Sequence, residues 1–425
     1  MAIFGAVATQ NPKGTRDFLP KDERVQQYIF SKWRETCLAF GYEPYEGPTF
    51  EHLELYTEKS GEEIVDQLYA FQDKSGRAIA LRPEMTPTLA RIVAAQGQSL
   101  PKPVKWFSMP RLFRYERAQK GRLREFFQLN MDILGSESLD AEVDLLLAIC
   151  ALMRNFGFKP TDFRVGISNR RLLNALLEQL GVENRDAVYA ALDRRAKIGE
   201  EAFGELLAEA GMAPEARKAL NDAMGCATLD ELAPHCTSEA AKAALEELRY
   251  LLDRMASLGH GESVGLDLNI VRGLAYYTGL VFEVFDAAKS MRAIAGGGRY
   301  DDLCAKLGGE RTTGVGFGMG DVVLKDLLEE RGLLPDVSRD RLDYWLVSFG
   351  NDVEPLFRMA ETLRARGRRV GHPLELRKFA KQMQEADRSG AAKVLMLGSD
   401  RVPEGCVEVK DLVAGTQSAV PVDRL

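Results

Sequence analysis

The 425-residue chain is mildly acidic, with a formal net charge of -7, 45% hydrophobic and 28% charged residues; this is the balance of folded globular material, and the length suits two or three domains. No run approaches the ~18 apolar residues of a membrane span, and the opening MAIFGAVATQNPKGTRDF has no basic n-region, so no membrane contact and no secretory leader are expected and the expected location is cytoplasmic. Cys37, Cys150, Cys226, Cys236, Cys304 and Cys406 form no CxxC pair, and His52, His235, His260 and His372 are isolated; a disulfide framework, a zinc module and a histidine-centred catalyst are all argued against. The chemistry falls to Arg, Glu, Asp, Gln and Tyr.

In chain order, Val25, Tyr28, Ile29, Trp33, Cys37 and Leu38 recur at helical spacing over 21–40, and Gly41 closes that helix. Strand and turn texture follows to about 135. Residues 141–156 predict a second helix with Val143, Leu146, Leu147, Cys150, Leu152 and Met153 inward. From about 168 to 260 the composition turns to Ala, Leu, Glu and Arg, and only helices are predicted. Leu172, Leu173, Leu176, Leu177 and Leu180 form one apolar stripe there, stopped by Gly181. Strand texture and glycine return over 264–320. RGLLPDVSRD, 331–340, reads as a linker. Beyond it YWLVSF and AAKVLMLG are apolar runs separated by helical patterns over 352–366 and 376–389. Such alternation predicts a small α/β domain with parallel strand pairing. From Arg339 on there are 15 Lys+Arg against 13 Asp+Glu, a tilt that permits contact with a polyanion without requiring it.

One stretch stands apart from the acidic background. RYERAQKGRLREFF, 114–127, holds four arginines and a lysine. Read as a hairpin, Arg114 and Glu116 share a strand face, with Phe113 and Tyr115 on the other. On the return strand Gln128 and Asp132 share a face, and Phe127, Leu129, Met131 and Ile133 share the other. One wet face and one dry face are predicted, joined by a basic loop hinged at Gly121. A guanidinium beside carboxylates and an amide suits a zwitterion next to a phosphate. The alternative from charge pattern alone is a solvated ribbon with surface ion pairs of little consequence.

KGTRDFLP (13–20), GYEPYEGPTFE (41–51), LRPEMTPTLAR (81–91), FRYERAQKGRLREFFQLNMD (113–132), VRGLAYYTGLVFE (271–283), AGGGRYDDL (295–303) and GVGFGMG (314–320) occur in that order. Together they resemble the histidyl-tRNA synthetases, a class II family, over nearly the whole chain. The FR-x-E pattern alone indicates only class II; LRPE, RGL-x-YYTG and GGGRYD are specific to the histidine branch. The resemblance implies an α+β catalytic core, an antiparallel sheet flanked by helices, in two parts, 1–165 and 263–330. It also implies a helical insertion over 166–262 and, after the 331–340 linker, an anticodon-binding-like α/β domain over 341–425. It implies ATP with Mg2+, histidine and tRNA(His) as partners, and a homodimer.

The resemblance further implies site residues. Arg114 and Arg272 would flank the ATP α-phosphate as catalytic arginines, and Glu116 would sit by the adenine or the magnesium. Glu84, Thr86 and Gln128 would hold the substrate amino group, and Asp132 and Tyr277 its imidazole. Tyr276 and Tyr300 would wall the pocket, with simple packing the alternative for Tyr300. Gly318 and its neighbouring glycines would let the backbone approach the ligand. Arg122 would serve ATP, and Arg117, Gln119, Lys120 and Arg124 the tRNA acceptor end. Three departures stand out. Ala275 replaces the aspartate of RGLDYY, Asp302 replaces a glycine, and the third class II motif reads Gly320-Asp321-Val322-Val323-Leu324, with Val323 where an arginine is usual and Asp321 expected to repel phosphate. These departures keep open a non-catalytic paralogue, such as a histidine-binding regulatory subunit of ATP phosphoribosyltransferase.

Overall fold

The structure, a computed structural model, describes residues 10–57, 65–195, 198–271, 276–336 and 342–425. Its contacts form two units, Met1–Leu334 and Pro335–Leu425. Among the described residues no helix is long and apolar enough to cross a membrane.

The strands of the first unit are β1 (Glu43–Pro44), β2 (Phe50–His52), β3 (Ala70–Gln72), β4 (Ala78–Leu81), β5 (Val104–Ser108), β6 (Arg111–Phe113), β7 (Glu125–Leu134), β8 (Phe163–Asn169), β9 (Val264–Leu266), β10 (Leu280–Asp286), β11 (Ala295–Arg299) and β12 (Gly314–Gly320). β2, β4 and β3 form a small sheet. The others form a nine-stranded sheet in the order β1-β5-β7-β12-β11-β10-β8-β9, with β6 paired to β7. Its interior pairings are antiparallel, and only the edge pairs β1–β5 and β8–β9 are parallel. The expected class II core, an antiparallel sheet flanked by helices, is therefore the fold.

The first helix, Pro20–Ala39, opens on a proline, whose missing N–H goes unused in a first turn. It buries Ile29, Trp33 and Cys37 completely and packs against the helix Asp140–Asn155. Gly41, at φ 75°, turns the chain out of it in the left-handed region. The helices of the 170–257 region begin at Asn169, whose side chain caps the N–H of Arg171. Leu173, Leu177, Val188, Phe203, Leu207 and Leu220 form their own core there.

A boundary at 166 falls inside β8, which pairs with β10 along its full length from Phe163 to Asn169. Phe163, Val165 and Ile167 alternate inward, a strand signal overshadowed by the leucine stripe that follows. The last long helix of this region, Glu239–Ser257, packs on the Asp140–Asn155 and Arg170–Gln179 helices and on β8 and β9.

The second unit holds β13 (Tyr344–Ser348), β14 (Val370–Gly371), β15 (Lys393–Leu397), β16 (Cys406–Asp411) and β17 (Gln417–Pro421) in the order β14-β13-β15-β16-β17. β13 pairs in parallel with β14 and β15, but β15–β16 and β16–β17 are antiparallel. The two strands expected from YWLVSF and AAKVLMLG are β13 and β15, and they pair in parallel as expected; β16 and β17 add antiparallel pairings. The links after β15 are short and carry no helix, which suits antiparallel return. Leu346 and Leu395 pack with Leu356, Ala360 and Leu363 of the helix Glu354–Ala365, and Val347, Val394 and Met396 with Ala386 of the helix Phe379–Ser389.

Candidate active site

A small cleft opens over the middle of the large sheet. β7 contributes Gln128 and Asn130 to its wall, and β11 and β12 contribute Gly296, Gly316, Phe317 and Gly318. Glu84 and Thr86 come from the turn and first residue of the helix Thr86–Gln96, Arg114 from just beyond β6, and Tyr276, Tyr277 and Tyr300 from loops at the ends of β10 and β11. Residues distant in sequence meet here because the antiparallel order puts β7, β12 and β11 side by side.

A guanidinium, Arg114, and a carboxylate, Glu84, both line the cleft. Arg114 donates through Nε to the Pro83 carbonyl at 2.9 Å, and its guanidinium lies 5.4 Å from the Phe126 ring centroid. Glu84 is buried and accepts from the Tyr276 hydroxyl at 2.7 Å. Burial first, then the Glu84 carboxylate, pushes the Tyr276 hydroxyl well up, so it stays a donor. The turn carrying Glu84 is held from below by Arg82, only 4% exposed. Arg82 donates to Glu46 at 2.6 Å, to the Gly47 carbonyl at 2.9 Å and to the Arg111 carbonyl at 3.0 Å.

Asp132 lies deeper than the reading of the hairpin implied. It is 2% exposed and Asn130 4%, so the face expected to be wet is covered from Asn130 onward; β7 is a central strand, flanked by β5 and β12. The Tyr300 hydroxyl donates to Asp132 Oδ1 at 2.6 Å. Burial pushes the Asp132 carboxyl up to about 7, against the pull of that hydrogen bond. Asp132 is not among the cleft walls; Asn130, absent from the expected site, is. Its signal was the strand parity it shares with Gln128 and Asp132.

The glycines of β12 serve side chains more than an approaching ligand. A methyl group on Gly318 would stand 2.6 Å from Cδ of Gln128, and one on Gly314 2.5 Å from the Tyr300 ring. Gly316, opposite Asp132 in register, makes room for its carboxylate.

The basic loop is a tight turn, with Gln119 bridged to Arg122 and Gly121 at φ 74°. Arg122 ion-pairs with the buried carboxylate of Glu116, and neither is among the residues that line the cleft. Arg124 lies 4.1 Å over the Tyr115 ring and donates to the Glu116 carbonyl at 3.0 Å. Arg117, Gln119 and Lys120 are exposed. Gly121 backs onto Val323, where a methyl on the glycine would be 3.3 Å from Cγ2. Asp321 does not repel anything in the cleft. It is fully buried, ion-paired with Arg16 at 2.7 Å and accepts the Phe127 N–H at 2.9 Å. Asp302 pairs with Arg311 at 3.0 Å on the surface. Arg272 and Ala275 lie outside the described residues. Among those residues no cluster of three or more His, Cys, Asp or Glu could hold a metal.

The family model for histidyl-tRNA synthetase matches residues 14–321. A histidine–tRNA ligase of Opitutus terrae is 40% identical, over 98% of this chain and 97% of its own length. One of Natronomonas pharaonis is 37% identical, over 96% and 95%. Among solved structures, a histidyl-tRNA synthetase from Nostoc sp. PCC 7120 aligns with a TM-score of 0.81 at 26% identity, over 98% of both chains. An ATP phosphoribosyltransferase regulatory subunit/histidyl-tRNA synthetase from Bacillus halodurans C aligns at 0.75 and 25% identity, over 91% of this chain and 98% of that one.

Proposed function

The chain belongs to the histidyl-tRNA synthetase family and is a histidine–tRNA ligase, and from that premise we propose how its residues divide the work. The carrying observation is that a carboxylate, Glu84, a guanidinium, Arg114, and the Gln128 amide line one cleft. That arrangement complements an amino-acid zwitterion whose carboxylate is about to meet a phosphate.

In this reading Glu84, Thr86 and Gln128 hold the substrate ammonium, and Tyr276 keeps Glu84 oriented. Activation joins the histidine carboxylate to the α-phosphorus of ATP and releases pyrophosphate. The protein's part is positioning and charge stabilisation. Arg114 stabilises charge gained at the phosphorus on one side, and Arg272 is proposed to do so on the other. Gly318 leaves room for the amide end of Gln128. Arg122 pairs with Oε2 of Glu116, and the buried Oε1 has no hydrogen-bond partner; Mg2+ is proposed to arrive on the ATP phosphates, with Glu116 its candidate protein contact. The histidyl group then passes to the terminal adenosine of tRNA(His). Arg117, Gln119 and Lys120 meet the acceptor end in this proposal, with Arg124 bracing the loop. The second unit reads the anticodon, the working form is a homodimer and the location cytoplasmic; these rest on the family resemblance.

Histidine-dependent ATP–pyrophosphate exchange followed by charging of tRNA with histidine tests the scheme. Exchange that fails in the Glu84→Gln variant for lack of histidine binding supports the cleft assignment; exchange with unchanged histidine KM in that variant removes it.

A further inference from the structure

Tyr276 and Tyr277 reach the cleft on one segment, and the helices that begin at Arg170 grip that segment from both sides. Upstream, residues 267–271 form a turn seated on β8. The Asp267 N–H donates to the Ile167 carbonyl at 2.9 Å, and the Asn269 N–H and Nδ2 both donate to Asp267 Oδ1 at 3.2 Å. A methyl group on Gly166 of β8 would stand 2.5 Å from Cδ1 of Ile270, so the turn rests directly on that strand. Its last two residues divide between two cores. Ile270 packs in one core with Tyr276, Tyr277 and Tyr300, while Val271 packs with Leu173, Leu177, Val188 and Leu192 of the helices. Arg195, at the end of the helix Arg185–Arg194, donates through Nη1 to Asn269 Oδ1 at 3.3 Å.

Downstream, the Arg170 N–H donates to the Gly279 carbonyl at 2.9 Å. Arg171 spreads its guanidinium over three partners: Nε donates to the Thr278 carbonyl at 3.2 Å, Nη1 to Glu247 at 2.8 Å and Nη2 to Asp301 at 3.2 Å. Asp301 is buried, and its N–H donates to Thr278 Oγ1 at 3.0 Å. Glu247 belongs to the helix Glu239–Ser257. One side chain thus ties the first and last long helices of the region to the residue that follows Tyr277. None of Arg171, Arg195, Asn269 and Thr278 lines the cleft itself.

We propose, on the reading that this cleft takes histidine, that Arg171 and Arg195 are positioning residues. Through Thr278 and Asn269 they hold the two flanks of the tyrosine segment against the helices, and so fix the Tyr276 hydroxyl that donates to Glu84 at 2.7 Å. The planar fork of an arginine is what lets position 171 serve three acceptors at once. A lysine there keeps a positive charge between Glu247 and Asp301 but has a single nitrogen, which cannot also reach the Thr278 carbonyl.

The test is histidine-dependent pyrophosphate exchange by the full chain, with a thermal melt of each variant. Arg171→Ala should lower Tm, raise the histidine KM by about three- to tenfold and leave the ATP KM within about twofold. Arg171→Lys should restore most of the Tm and little of the histidine KM. A role in stability alone would lower Tm and the active fraction, and hence the apparent kcat, without moving the histidine KM. Asn269→Ala should raise the histidine KM by a similar factor, and adding Arg195→Ala to it should raise it no further. An unchanged histidine KM in Arg171→Lys and Asn269→Ala would overturn the proposal, as would a histidine KM that recovers in step with Tm in Arg171→Lys. Losses that multiply in the Arg195→Ala, Asn269→Ala double variant would overturn the upstream grip. Absence of exchange by the unmodified chain, or an unchanged histidine KM in Glu84→Gln, would instead strike the cleft reading beneath it.

Discussion

Replacing Gly318 by alanine separates two roles that a glycine beside this cleft could have. If the glycine exists to let backbone approach ATP, a methyl group should weaken ATP. The structure points elsewhere. The added Cβ would lie 2.6 Å from Cδ, 2.7 Å from Nε2 and 2.8 Å from Oε1 of Gln128, the whole amide end of a flexible side chain. β12 itself need not move, because the end of Gln128 can swing away. What is lost is the hydrogen bond that the substrate ammonium donates to the Gln128 amide oxygen. A hydrogen bond to a charged group contributes about 1.5–3 kcal/mol, and each 1.4 kcal/mol is tenfold. Gly318→Ala should therefore raise the histidine KM in pyrophosphate exchange by about 10- to 150-fold. The ATP KM should stay within about twofold. A raised ATP KM with an unchanged histidine KM would refute the reasoning and return Gly318 to the nucleotide.

Arg272→Ala should lower adenylate formation by ~10²–10³, the loss typical of one preorganised charge donor; exchange within twofold of the unmodified chain would remove its role. Deleting residues from 335 onward should leave exchange largely intact and cripple tRNA charging, since Met1–Leu334 is a compact unit by itself; full charging by the folded truncation would end the anticodon reading. Arg122→Ala should raise the ATP KM in exchange without tRNA, because it unpairs the buried Glu116 carboxylate beside Arg114; an unchanged ATP KM with a raised tRNA KM would assign Arg122 to tRNA alone. Arg299→Ala breaks a bidentate ion pair with Glu142 at 2.6 Å, whose side chains are 5% and 0% exposed. Leaving Glu142 buried alone should cost about 3–5 kcal/mol, read as a lower urea midpoint; a midpoint unchanged would show that the site rehydrates.

The fold was legible where local pattern decides it. The helical spacing of Ile29, Trp33 and Cys37, and the stripe from Leu172 to Leu177, both marked buried faces. Strand pairing was less legible. β8 hid beside a stronger helical signal, and the antiparallel return of β16 depends on a short link that apolar runs do not report. At the cleft, residue types and motif order brought Glu84, Thr86, Arg114, Gln128, Tyr276, Tyr277 and Tyr300 to one wall. Depth was not legible. Nothing local says that Asp132 sits behind a tyrosine 168 positions away in the chain while Asn130 faces the cavity. Parity gives the side of a strand, but which of its residues reach the cavity is set by neighbours across the sheet.

The departure in the third motif shows the same limit from the other direction. Read along the sequence, Asp321 and Val323 are a negative charge and a hydrophobe where positive charge is usual. In the fold, Asp321 is turned inward and buried. Burial raises its carboxyl, and Arg16 of the KGTRDF segment and the Phe127 N–H act against that rise. It ties the N-terminal segment and the start of β7 to the helix Asp321–Glu330, so its charge is compensated before it can act on a phosphate. Val323 is 8% exposed and lies under Gly121, the turn of the basic loop. A long arginine at 323 would have to pass the place that this turn occupies. The substitution and the seating of the loop are therefore one structural choice. It keeps Lys120 and Arg122, carried on either side of Gly121, near the helix start where the usual arginine is missing. That turn rests on Gly121, whose φ of 74° is a conformation that a side chain resists.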